Sequence, residues 1–171
     1  MRIIDKNEGK DHKITSPIKK TIKEFAGKFQ NPKELTASLL LKSVEEEKKA
    51  FLCKYQFLLN EENQLTHFIY VSTEMEQIYQ KFHDVLIIDT TLKKTRFNLS
   101  LMNFVCIDNY GFSRIVAFGL LYNEKQITFE WILSRFCEIM NNIQPQIIFT
   151  DEDDQLSNGI ILQNFVSLVK L

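Results

Sequence analysis

No Cys-x-x-Cys pair occurs in this chain. Its three cysteines, Cys53, Cys106 and Cys137, are far apart and odd in number. That pattern indicates neither a disulfide framework nor a cysteine zinc site, and leaves them as small buried hydrophobes in a reducing compartment. The three histidines, His12, His67 and His83, are equally scattered. An excess of one charge is also lacking: 21 Lys and Arg against 22 Asp and Glu leave a net charge of −1. No overall basic field draws the chain to nucleic acid or anionic lipid, so any such binding has to be local. The apolar runs are far too short to span a bilayer. The polar start, MRIIDKNEGKDHK, is not a signal peptide. The expectation is a nuclear or cytoplasmic protein, neither secreted nor held in a membrane.

What is present is ordinary globular material. Hydrophobic residues make up 44% of the 171 and charged residues 25%, with fourteen Phe to build a core. The length suits one domain with a small N-terminal addition, and the chain divides into three parts. Residues 1–45 read as a helical segment. Ser16-Pro17 offers a capping hydroxyl and a proline at the first helical position, and Ile18, Ile22, Phe25 and Phe29 recur at helical spacing. Asn31-Pro32 repeats the start signal before Leu35, Leu39 and Leu40. The pair could form a helix-turn-helix module or simply pack on the main domain. Residues 46–84 read as a hairpin, FLCKYQFLL and LTHFIYVS around a polar turn, and then a helix capped by Thr73.

Residues 85–171 carry the chemistry. VLIIDTT, from Val85, has the continuous apolar pattern of a central strand buried on both faces. LSLMNFVCID and SRIVAFGLLY follow as strands joined by the Asn109-Tyr110-Gly111 turn, short enough to make them antiparallel neighbours. Asn123 with Gln126 resembles a capping box. Phe129, Ile132, Leu133, Phe136 and Met140 mark one face of the next helix, with Trp131 off that face. Asn141, Asn142 and Pro145 end it. QIIFTD is a fourth strand, and a last helix is expected from Asp154 to Lys170. The order is β-β-β-α-β-α, an α/β fold with a mixed sheet.

Two of these strands share a design, an apolar run closing on an aspartate, Asp89 and Asp151. If the fourth strand lies parallel beside the first, the two carboxylates meet at the rim of the sheet, where α/β folds place their sites. Close carboxylates repel unless a cation lies between them. Their hard oxygens suit Mg²⁺ or Mn²⁺, and paired metals clamp the attacking and leaving oxygens of a phosphodiester displacement. Either Asp alone could equally well cap a helix or fix a turn.

The same stretches resemble a family. VLIIDTTLKKTRFNLSLMNF is similar to the first catalytic strand of the Mutator-like element (MULE) transposases, with Asp89, Thr91, Lys93, Arg96, Phe97, Asn98, Leu99 and Leu101 fitting. VCIDNYGFSRIVAFGLLYNEKQITFEWIL matches the next family region at Asp108, Gly111, Ala117, Glu124, Phe129, Trp131 and Leu133. PQIIFTDEDDQLSNGI matches at Pro145, Thr150, Asp151, Asp153 and Ile160. Leu92, Lys94-Thr95, Ser100, Leu156 and Gly159 depart from the family pattern. The resemblance implies a ribonuclease H-like fold and a DDE-type transposase that cuts and joins DNA at transposon ends. It implies Asp89 and Asp151 as catalytic metal ligands for Mg²⁺ or Mn²⁺, and Lys93, Lys94 and Arg96 as groups that meet DNA phosphates. A solvated basic turn explains those three cations equally well.

The family's third acid and its Cys-x-x-His signature, expected after the second acid, do not occur, and the last glutamate is Glu152. The expectation is therefore a fragment, inactive as it stands. Its sheet should be incomplete at the C-terminus, with a bare edge that could pair copies into a homo-oligomer. The alternatives are a non-catalytic remnant that binds DNA or protein, a relic, or an unrelated enzyme using both aspartates for Mg²⁺-assisted phosphate hydrolysis. A haloacid dehalogenase site would need Asp two positions after Asp89, where Thr91 stands.

Overall fold

Asn60 turns the chain between the first two strands. Its side-chain carbonyl accepts the backbone N–H groups of Glu62 at 3.0 Å and Gln64 at 2.8 Å, the local bonding that makes Asn a turn former. The computed structural model describes residues 53–62, 64–91, 99–151, 154–162, 165 and 168–170. The expected helices of residues 1–45 and the cations Lys93, Lys94 and Arg96 lie outside the described residues. Strands β1 (Cys53–Leu59) and β2 (Leu65–Ser72) pair antiparallel, as their alternation anticipates. Helix α1 (Thr73–Phe82) follows at once. Its cap is Ser72 and not the expected Thr73: the Ser72 hydroxyl accepts the Met75 N–H at 3.2 Å. Glu74 and Glu76 then occupy the electropositive first turn.

Three strands form a meander: β3 (Val85–Thr91), β4 (Ser100–Ile107) and β5 (Ser113–Leu121), each antiparallel to the next. Helix α2 (Gln126–Ile139) crosses to β6 (Ile147–Thr150), and helix α3 (Asp154–Leu162) leads to β7 (Leu168–Lys170). All the strands join one mixed sheet of order β1-β2-β5-β4-β3-β6-β7, in which β6 runs parallel to β3 and β7 parallel to β6. The hairpin is thus part of the sheet: β2 pairs with β5.

The end of the chain corrects an expectation. The last helix stops at Leu162 instead of reaching Lys170, and Leu168, Val169 and Lys170 pair with Ile148, Phe149 and Thr150. The edge expected to be bare is covered by β7. The β-branched Val169 favours strand over helix, and the unpaired side of β6 offers a ladder that no local periodicity reveals.

Packing follows the face read from the helix pattern. Phe129, Ile132, Leu133 and Phe136 are fully buried, and Met140 is 1% exposed. The Phe136 ring stacks on Phe104 of β4 at 4.5 Å and meets the edge of Tyr79 of α1 at 5.1 Å. Both helices therefore cover the same face of the sheet. Trp131 sits off that face against His67 of β2, ring centres 5.2 Å apart. Gly119 of β5 lets α2 approach: a Cβ there would run into Ile132 Cδ1 and stand 3.2 Å from the Phe68 carbonyl oxygen. The expected Asn123–Gln126 capping box does not form. Asn123 Oδ1 accepts the Lys125 N–H at 3.1 Å and the Thr128 hydroxyl at 2.7 Å, while the Gln126 side chain bonds Glu130. Asn141 and Asn142 end α2 at φ 56° and 59°, left-handed values that Asn tolerates, and the Asn142 N–H bonds the Cys137 carbonyl at 2.8 Å.

Candidate metal centre

The apolar run before Asp89 is more sided than its composition suggests. Leu86 and Ile88 are buried toward α2, at 0% and 1% exposure, whereas Val85 and Ile87, on the opposite face, are half-buried. The strand also continues past Asp89 to Thr91, so Asp89 lies within the strand, paired with Asn103 of β4, and not at its tip. Alternation puts its side chain on the face away from α2, where it is exposed.

The expected juxtaposition rests on the β3–β6 register. Ile87 pairs with Phe149 and Ile88 with Thr150. One step further along the same register come Asp89 and Asp151. Neighbouring strands stand about 4.8 Å apart, and each aspartate directly follows a member of the Ile88–Thr150 pair. Asp151, just beyond β6, is exposed, and its Oδ1 accepts the hydroxyl of the buried Thr150 at 3.3 Å. Two carboxylates brought together there would suit a Mg²⁺ or Mn²⁺ ion, which would relieve their mutual repulsion. Among the described residues no group of three or more His, Cys, Asp or Glu side chains converges on such a position.

Other acids from the motif stretches have different duties. Glu124 follows β5 and accepts the hydroxyl of buried Ser100 at 2.6 Å. Asp108 closes the β4–β5 turn. Its Oδ1 accepts the N–H groups of Tyr110 and Phe112, each at 2.9 Å, and its Oδ2 accepts Arg114 Nε at 2.8 Å. Burial acts to raise the Asp108 pKa, but those donors and the Arg114 charge outweigh it and hold the carboxyl below its ordinary range. The cysteines are buried, as expected of small hydrophobes, and form no disulfide among the described residues. Burial pushes the Cys106 thiol up to about 12, helped by Asp84, and the Cys137 thiol up to about 11. The residue that the motif reading passed over is Asn103, the cross-strand partner of Asp89. Its signal was an amide among Leu101, Val105 and Ile107, at alternate positions of LSLMNFVCI.

Comparison with known proteins decides the family, because the model of the MULE transposase domain matches residues 85–169. The chain belongs to the MULE transposase domain family. The MULE match begins where β3 begins and takes in everything from there to β7. The chain is also similar to plant proteins of Arabidopsis thaliana. It is 26% identical to Protein FAR-RED IMPAIRED RESPONSE 1 over 119 residues, 70% of this chain and 14% of that protein. It is 28% identical to Protein FAR1-RELATED SEQUENCE 11 over 121 residues, 71% of this chain and 18% of the relative. With Putative protein FAR1-RELATED SEQUENCE 10 the identity is 35% over 82 residues, 48% of this chain and 12% of the relative. The matched segment thus spans less than a fifth of each of these relatives. No solved structure matches the chain.

Proposed function

We propose that this MULE domain is a ribonuclease H-like, DDE-type transposase domain in which Asp89 and Asp151 bind Mg²⁺ or Mn²⁺ beside DNA. The observation that carries the reading is the parallel β3–β6 register, in which Ile88, just before Asp89, pairs with Thr150, just before Asp151. The sheet order supports it: an antiparallel meander, a helical crossover and a parallel strand beside the first are what the resemblance implies. When bound, the ion would polarise a phosphodiester and supply a nucleophilic water. The chain's own part is to hold that ion with two carboxylates on a rigid sheet. The basic residues Lys93, Lys94 and Arg96 would contact DNA phosphates, and work on DNA would place the protein in the nucleus.

Strand cleavage needs a third acidic group, and the described residues do not bring one to this position. On this reading the expected behaviour of the chain alone is binding of metal and DNA without cutting. A second reading, a transposase-derived module that binds DNA or protein without catalysis, is favoured by the relatives. One is named for an impaired far-red response and another as a FAR1-related sequence, and neither name refers to transposition. In both readings the chain is no membrane protein of the helical kind, since no described helix is long and apolar enough to cross a bilayer.

The two readings part on the metal. Mn²⁺ titrated into the isotope-labelled chain should broaden backbone signals around Asp89 and Asp151 together, and Asp89→Asn with Asp151→Asn should abolish the effect. Broadening that survives both substitutions would remove the shared site and leave the non-catalytic reading. Supercoiled plasmid with Mg²⁺ should stay intact with the chain alone. Nicking lost in Asp89→Asn would show that the site is already complete.

A further inference from the structure

We infer that Asn103 is a third oxygen ligand for the divalent cation assigned above to Asp89 and Asp151. The inference rests on that reading of the two carboxylates. Strand β4 alternates between a buried face and a half-buried one. Toward α2 it presents Ser100, Met102, Phe104 and Cys106, all buried. On the other face stand Leu101, Asn103, Val105 and Ile107, three aliphatic side chains interrupted by one amide. β4 is an interior strand, flanked by β3 and β5, a position in which Asn is disfavoured. The Asn103 side chain is half-buried and makes no hydrogen bond to any other described residue. A partly desolvated amide with no partner among the described residues is a position that local packing does not explain. Such breaks of a local rule are expected where a site demands them.

The register says which site. Asn103 stands directly opposite Asp89, so the two share a face with Cβ atoms roughly 4.5–5.5 Å apart. On the other side of Asp89 comes Asp151, one step beyond the Ile88–Thr150 pair. Asn103 and Asp89 thus face each other across β4 and β3, Asp151 follows the end of the neighbouring β6, and each of the three offers an oxygen. An amide carbonyl is a hard ligand of the kind Mg²⁺ and Ca²⁺ sites use. Being neutral, it adds a ligand without the repulsion that a third carboxylate would bring. Glu124 does not compete for this place, since its carboxylate is bonded to Ser100. A bulge in the β4–β5 pairing, between Phe104 and Val105, adjoins Asn103. Bulges re-aim neighbouring side chains and are frequent beside sites.

Loss of free-Mn²⁺ electron paramagnetic resonance signal, measured on the whole chain, tests the assignment. Asn103→Leu restores the apolar face of β4 and should weaken Mn²⁺ binding about tenfold, with the urea midpoint unchanged or raised. Asn103→Asp keeps the shape, adds a charged oxygen and should tighten binding, and it carries the test alone if the leucine variant fails to fold. Asp89→Asn should abolish binding. Wild-type affinity in Asn103→Leu, or no tightening in Asn103→Asp, with Asp89→Asn still defective, overturns the role of Asn103 and leaves the carboxylate pair standing. Mn²⁺ binding that is absent from the wild type, or indifferent to Asp89→Asn, overturns both.

Discussion

The Asp108 side chain is 4% exposed and uses both oxygens on the turn that joins β4 to β5. It belongs to the motif stretch, yet its work here is structural: it fixes the N–H groups of Tyr110 and Phe112 and the Arg114 guanidinium. Because its folded pKa lies below the ordinary value, the native state binds its proton less readily than the unfolded chain does. That contribution to stability is present above the unfolded carboxyl range and is lost as pH falls through the folded value. Asp108→Asn should lower the urea midpoint at neutral pH, and the midpoint should then fall less steeply toward acid than in the wild type. Parallel acid limbs for the two proteins would assign the acid sensitivity to other groups. Asp89 and Asp151 differ in kind: both are exposed, and neither is bonded into a turn in the way Asp108 is.

At the scale of elements, the contact between α2 and the sheet depends on one missing side chain. Gly119 lies under Ile132, and a methyl group there would meet both Ile132 and the Phe68 carbonyl. Ile132 can shift its terminal methyl, but the carbonyl belongs to the β2 ladder and cannot. Gly119→Ala should destabilise the fold by about 1–3 kcal/mol, the usual range for overpacking a filled core, measured by urea unfolding. Gly119→Val should cost more. A neutral Gly119→Ala would mean that α2 can ride outward without loss. The helices themselves were largely legible from sequence, because the Phe129–Met140 spacing is a local property of the chain. Their caps were less so. Ser72 and Thr73 are both plausible caps, and only the path of the chain out of β2 selects Ser72. Asn123 caps its own loop because the Thr128 hydroxyl is within its reach.

On the scale of the whole molecule, the buried thiols report whether sheet and helices unfold together. Cys106 lies in β4 and Cys137 in α2, on either side of the main core interface. Both are buried, and their pKa values are raised to about 12 and about 11. Thiolate, the reactive form, is thus scarce as well as inaccessible in the folded state. A disulfide reagent should modify the two only on unfolding and over the same urea range, at a rate well below that of the denatured chain. Modification of Cys137 at lower urea than Cys106 would show α2 leaving the sheet as a separate unit.

Apolar alternation, the α2 face, the antiparallel turn at Asn109-Tyr110-Gly111 and the resemblance to MULE transposases were all present in the sequence by itself, because each depends on neighbours within a turn or two or on a run of matched residues. The sidedness of β3, the strand formed by Leu168–Lys170 and the cross-strand company of Asp89 were decided only by the tertiary structure. β7 read as helix because its stabilising partner, β6, is remote in sequence. Asn103 went unnoticed because nothing within LSLMNFVCI says which residue of another strand will stand opposite it. Register is set by the packing of whole strands, and it alone puts the Asn103 amide opposite Asp89.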